Sequence, residues 1–150
     1  MKRIVFAAVA LAAFFSAGCW DFLTTKTSPT TTTTTTLSTG DWSSVSSATT
    51  LTNTCTDFHW NITSVTGADT SGTFSAKCMG TLQVNGTAHG VTSGSNVTWA
   101  AETTGTTSSG SVCAAELTGT ATFDGTQLRI PFTGTTCLGA VSGTEVLRKG

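Results

Sequence analysis

Few residues in this chain have the types and spacing that chemistry requires. Beyond Gly40 the only glutamates are Glu102, Glu116 and Glu145, and the only aspartates are Asp41, Asp57, Asp69 and Asp124. Hydrolysis of a glycosidic bond needs two carboxylates facing each other across a cleft. Glu102 and Glu116, which flank the longest Gly/Thr/Ser-rich loop, are the pair that could approach in this way. His59 stands between Asp57 and Asn61, and with a single carboxylate it makes an incomplete metal site and a plain surface pair. His89-Gly90 reads as part of a turn. No Gly-x-Ser-x-Gly elbow, His-Glu-x-x-His helix or phosphate-cradling glycine loop is present. The chemistry therefore points away from an enzyme, with no metal and no cofactor expected, and leaves a Glu102/Glu116 hydrolase as a distant alternative.

The cysteines are more informative. Cys55, Cys78, Cys113 and Cys137 form an even set, and in an oxidising compartment they predict two disulfides. Three pairings are possible in principle. Hairpin geometry favours Cys113 with Cys137: a two-residue Asp124-Gly125 turn sets Phe123 against Thr126 and Cys113 against Thr136. One bulge at Pro131 or Gly134 then brings Cys137 opposite Cys113. Cys55 and Cys78 remain as the second pair, bracketing the turn near Gly67.

The compartment follows from the N-terminus. Lys2 and Arg3 precede an apolar run from Ile4 to Phe15, too short to span a bilayer comfortably, and Ser16-Ala17-Gly18 supplies the small residues of a cleavage site. Residues 1–18 thus read as a secretory signal. Ala17-Gly18-Cys19 resembles the lipobox of bacterial lipoproteins, with Ser16 where that family usually has Leu. The resemblance implies cleavage before Cys19, acylation of its thiol, and a membrane-anchored protein of the bacterial cell envelope facing the periplasm or the exterior. It also accounts for the fifth cysteine. Residues 19–39 include seven consecutive threonines, Thr30 to Thr36, and can build no core, so they read as a linker. After cleavage five basic residues face eight acidic ones, and no Lys/Arg run remains to neutralise phosphates, which excludes nucleic acid as a partner.

The elements that must position these residues are strands. Threonine makes up about a quarter of the chain and glycine is abundant, a balance that favours extended backbone and turns. From residue 40 to 150, apolar and polar residues alternate in short runs: Phe58-Trp60-Ile62, Phe74-Ala76-Cys78, Leu82-Val84, Val97-Trp99-Ala101 and Leu128-Ile130-Phe132. The runs predict one all-β domain of about eight antiparallel strands, near 40–48, 55–65, 71–78, 81–89, 95–103, 111–122, 127–136 and 141–148. An even number lets an up-and-down meander close as a small barrel; a two-sheet sandwich is the alternative.

Gly40-Asp41-Trp42 at the start of the first strand, with Arg148 in the last, resembles the calycin barrels, meaning lipocalins, avidins and their kin. That resemblance implies Arg148 packed against Trp42 and a mouth open to a small apolar ligand, with Trp42, Trp60 and Trp99 as contacts. The stretch from Cys137-Leu138-Gly139 to Leu147-Arg148 is similar to small bacterial lipoproteins of unassigned function. Two functional readings follow. The first is a structural or protein-interaction domain whose three tryptophans fill the interior, with another envelope protein as partner. The second is a ligand-binding barrel.

Overall fold

The computed structural model describes residues 37–45 and 52–150. The signal, Cys19, the linker up to Thr36 and the end of the first expected strand lie outside the described residues. Eight strands run in chain order: β1 (Gly40–Ser44), β2 (Cys55–Thr66), β3 (Asp69–Cys78), β4 (Leu82–Ser93), β5 (Asn96–Thr106), β6 (Val112–Phe123), β7 (Gln127–Thr136) and β8 (Gly139–Lys149). Each pairs antiparallel with the next, and β8 returns to β1, so the meander closes into a barrel. The sandwich alternative is set aside by the Ser43–Arg148 and Ser44–Leu147 pairs that join the last strand to the first.

Closure requires a stagger between strands, and the register supplies it. From Trp42 the ladder passes through Trp60, Phe74, Gly86, Thr103, Ala115 and Thr136 to Gly139 at the start of β8. Trp42 itself, however, pairs with Lys149 at the other end of β8. The strands must therefore tilt and bend, and glycine permits the bend. Each of β3 to β7 carries one glycine at which a neighbouring carbonyl lies within 1.9–2.4 Å of where a Cβ would stand, as at Gly72 beside Asn61 and Gly119 beside Pro131. Any side chain there would drive two strands apart. A corner-turning glycine repeated around the sheet is what a small barrel needs to close.

Alternation holds through β3 to β7, with one set of side chains buried and the other facing out. The inward set forms one core, in which small residues oppose large ones: Ile62 and Leu117 share a ring with Gly72, Ala88, Ala101 and Gly134. The two predicted disulfides, Cys55–Cys78 and Cys113–Cys137, are both formed. They lie at the same end of the barrel, beside the 79–81, 107–111 and 137–138 turns.

Three local expectations are corrected. No bulge interrupts β7: the register is constant from Thr122–Arg129 to Ala115–Thr136. The β6–β7 turn is instead longer than two residues, so Phe123 pairs with Leu128. Cys137 then falls in the following turn, where its N–H lies 3.2 Å from Cys113 Sγ. The irregularities are in β2, between Thr56 and His59 and between Ile62 and Ser64. His89-Gly90 is not a turn: β4 runs on to Ser93, and Gly94 makes the turn with a φ of 61°.

Candidate functional site

Interior, outer wall and ends offer different chemistry, and the sequence-predicted residues divide among them. Trp42, Trp60 and Trp99 lie in the interior, each at most 2% exposed. Phe58 sits at the centre of the same cluster, its ring centroid 5.1 Å from Phe74, 4.8 Å from Phe132 and 6.2 Å from Trp99. Trp42 meets Phe123 edge to face at 5.6 Å. Such contacts add roughly 0.5–1.5 kcal/mol per pair beyond area burial. The indoles lie over glycines: a Cβ at Gly90 would stand 3.1 Å from Trp60, and one at Gly119 3.1 Å from Trp99 Nε1. Trp60 Nε1, Trp99 Nε1 and Thr70 Oγ1 are buried without a hydrogen-bond partner.

Arg148 does not pack on Trp42. It faces outward opposite Ser43 and Gln127, because the β1–β8 register puts Lys149, not Arg148, across from Trp42. A one-residue offset changes the face of every side chain on a strand. Lys149 bends over the barrel end and its Nζ donates to Ser38 Oγ at 3.0 Å, while Trp42 Nε1 donates to the Ser38 carbonyl at 3.2 Å. Leu37, only 2% exposed, closes that end. The segment leading into β1 is thereby clamped by two side chains and a buried leucine.

On the outer wall Glu102 and Glu116 are brought together: they are directly opposed on β5 and β6. They are exposed on the outer wall and line a shallow groove together with Asn85, Thr87 and Thr104. Two like charges in that position repel, and no third acidic, His or Cys side chain joins them among the described residues. Around them the wall is a field of exposed hydroxyls, with Thr118, Thr120 and Thr122 on β6 flanked by Thr98 on β5 and by Thr133 and Thr135 on β7.

His59 also faces outward, but its carboxylate neighbour is Asp41 on β1, at 3.8 Å, rather than Asp57. Asp57 adopts a positive φ of 55° at the irregularity in β2. Phe58 N–H consequently turns to Ser44 Oγ at 2.9 Å, and Ser44 donates to Glu145 Oε2 at 2.6 Å. Glu145 is a buried carboxylate, 4% exposed, on the inward face of β8. Sequence reading left it unassigned, although it shares parity with Val141 and Leu147.

Asp124 gives the turn before β7 its shape. Its Oδ1 accepts from Gln127 N–H at 2.7 Å, Thr126 N–H at 2.8 Å and the Thr126 hydroxyl at 2.9 Å. These bonds, the backbone of Gln127 first, hold its carboxyl below the ordinary value of 3.8, with a smaller contribution from Arg148. Comparison of the chain with family models, with curated proteins and with solved structures found no match.

Proposed function

We propose that this protein is a non-catalytic scaffold of the bacterial cell envelope, exported by residues 1–18 and anchored through acylated Cys19, whose barrel presents its outer wall and ends to another envelope protein. One observation carries the reading. The interior is occupied by its own aromatic side chains, with Phe58, Trp60 and Trp99 at most 2% exposed, so recognition falls to the outside. A hydroxyl-rich wall with few charges suits a protein surface better than a phosphate or a bilayer core. The exposure of Glu102 and Glu116 on the outer wall, with no third acidic, His or Cys side chain beside them among the described residues, supports the non-catalytic part of the reading.

A calycin-type barrel holding a small ligand is the second reading, favoured by the buried indole N–H groups of Trp60 and Trp99 that lack acceptors. Native mass spectrometry of the full acylated chain, released from detergent after incubation with envelope extract, separates the two. A mass equal to the acylated chain with both disulfides, together with a crosslinked envelope protein, supports the scaffold. Extra mass lost on unfolding supports the ligand barrel. A Cys19→Ala chain that stays membrane-bound would argue against the anchor itself.

A further inference from the structure

The two disulfides stand in different settings. Cys55 and Cys78 face each other as a pair of the β2–β3 ladder, and both are fully buried. The Thr56–Lys77 pair follows on one side, and on the other the Met79 N–H donates to the Thr54 carbonyl at 2.8 Å. Backbone bonds thus enclose that bridge, and a thiol reaches its sulfurs only where β2 and β3 part.

Cys113–Cys137 lies outside its ladder. The β6–β7 pairing ends at Ala115–Thr136, so Cys137 belongs to the turn before β8. Cys113 is 1% exposed and paired with Gly105 on β5, whereas Cys137 and its neighbour Leu138 are exposed. The turn has bonds of its own: the Leu138 N–H donates to Thr136 Oγ1 at 3.1 Å, and that hydroxyl donates to the Gly139 carbonyl at 3.0 Å. The Cys137 N–H donates to Cys113 Sγ at 3.2 Å. Exchange of a thiolate with a disulfide depends on access to the sulfur attacked and on how readily the other sulfur leaves. Here access belongs to Cys137, and the bond that assists departure falls on Cys113.

We propose that Cys113–Cys137 is a thiol-exchange site, at which an incoming thiolate attacks Cys137 and expels Cys113. The new bond joins the incoming sulfur to Cys137 Sγ, the Cys113–Cys137 bond breaks, and its electron pair leaves on Cys113 Sγ. Burial alone disfavours that thiolate; the Cys137 N–H already directed at Cys113 Sγ favours it. Cys113, held on β6, can attack Cys137 Sγ in turn and return the incoming thiolate. A dithiol instead completes the reduction: its second sulfur attacks the first, the dithiol is oxidised to a disulfide, and its two protons end on Cys113 and Cys137. No strand pair spans this bridge, so opening it frees the 137–138 turn from β6 while the barrel persists.

The test uses the full folded chain with any free thiol first capped by iodoacetamide, so that the state of Cys19 does not enter. Dithiothreitol is added under native conditions, samples are quenched with N-ethylmaleimide, and the labelled cysteines are located by peptide mass spectrometry. Label should appear at Cys113 and Cys137 at least about tenfold faster than at Cys55 and Cys78, because only the first pair is open to attack in the folded barrel. That rate should be proportional to dithiothreitol and nearly unchanged by urea below the unfolding transition, as expected of a site that opens without global unfolding. Glutathione in place of dithiothreitol should leave its adduct on Cys137 and none on Cys113. Equal rates at the two bridges, earlier opening of Cys55–Cys78, a rate that climbs steeply with urea, or an adduct on Cys113 would each overturn the proposal.

Discussion

Replacing Gly119 with alanine tests the geometry that closes the barrel. The added Cβ would stand 2.1 Å from Pro131 O, 3.2 Å from Pro131 C and 3.1 Å from Trp99 Nε1. Comfortable contact between heavy atoms is about 3.5–4.0 Å, so the carbonyl contact is the severe one. That carbonyl belongs to the β7 backbone, which cannot shift without loosening the ladder to β6 or β8. Overpacking costs roughly 1–3 kcal/mol, occasionally more, and an immovable obstacle places Gly119→Ala at the upper end. At ~4–8 °C per kcal/mol for a domain near this size, the melting temperature should fall by about 10–20 °C in calorimetry. A Trp99→Phe substitution in the same chain should not rescue it, because the indole is the lesser contact. Gly67→Asn is the control: Gly67 has a φ of 62° with nothing within 4 Å of its Cβ position. Asn tolerates that left-handed conformation, so this change should be nearly silent. A Gly119→Ala variant that melts with the wild type would refute the account of how these strands bend.

Three further outcomes follow from the same geometry. Each disulfide closes a loop of similar length, with sequence separations of 23 and 24. Cys55→Ala/Cys78→Ala and Cys113→Ala/Cys137→Ala should therefore each cost ~3 kcal/mol in the chain-entropy model, and thermal melts differing widely between them would contradict it. Glu102→Gln removes a direct cross-strand repulsion with Glu116 and should stabilise by roughly 0.2–1 kcal/mol. Added salt should shrink that gain in the same melts, and a gain indifferent to salt would point elsewhere. Asp124→Ala should destabilise the fold at neutral pH. Because the folded-state pKa of Asp124 is lowered from 3.8, its contribution is present above the unfolded value and lost as pH falls through the folded one. Wild type and variant should converge in strongly acidic solution, and a carboxyl titration by NMR at or above 3.8 would remove the basis for this.

Strand content was legible because a small barrel imposes a period of two on its inward positions, and Phe58-Trp60-Ile62 or Leu128-Ile130-Phe132 display that period without help from distant residues. The cysteine pairing was legible for a similar reason, since each pair brackets a hairpin. What escaped depends on single-residue offsets. Arg148 and Lys149 are adjacent in sequence, and only the long-range β1–β8 register decides which one meets Trp42. The bulge expected in β7 and the longer turn actually present both shift the pairing, and composition does not separate them. Asp57 rather than a glycine takes the positive φ in β2, so nothing marked the irregularity that turns Phe58 N–H toward Ser44. Glu145 has the parity of the core but the charge of a surface residue, and charge was the stronger cue. Glu102 and Glu116 were identified as a pair, yet whether they face a cleft or solvent is set by which side of the sheet they share.

The packing has a consequence for where function can reside. The interior is filled by aromatic rings and by Leu, Ile and Val side chains together, with the indoles of Trp60 and Trp99 lying over Gly90 and Gly119. At Gly119 the two needs coincide: the missing Cβ leaves room for both the Pro131 carbonyl and the Trp99 indole, so there neither can be relaxed without the other. Widening the barrel to admit a guest would remove ring contacts such as Phe58 with Phe74 and Phe132, each replaced by exposed aromatic surface. A large-to-small change in such a core costs about 3–5 kcal/mol for Phe, a sizeable part of the roughly 5–15 kcal/mol that stabilises a domain. A barrel closed in this way gains more from a filled interior than from an open one. Its variable chemistry then lies outside, in the threonine wall and the opposed glutamates.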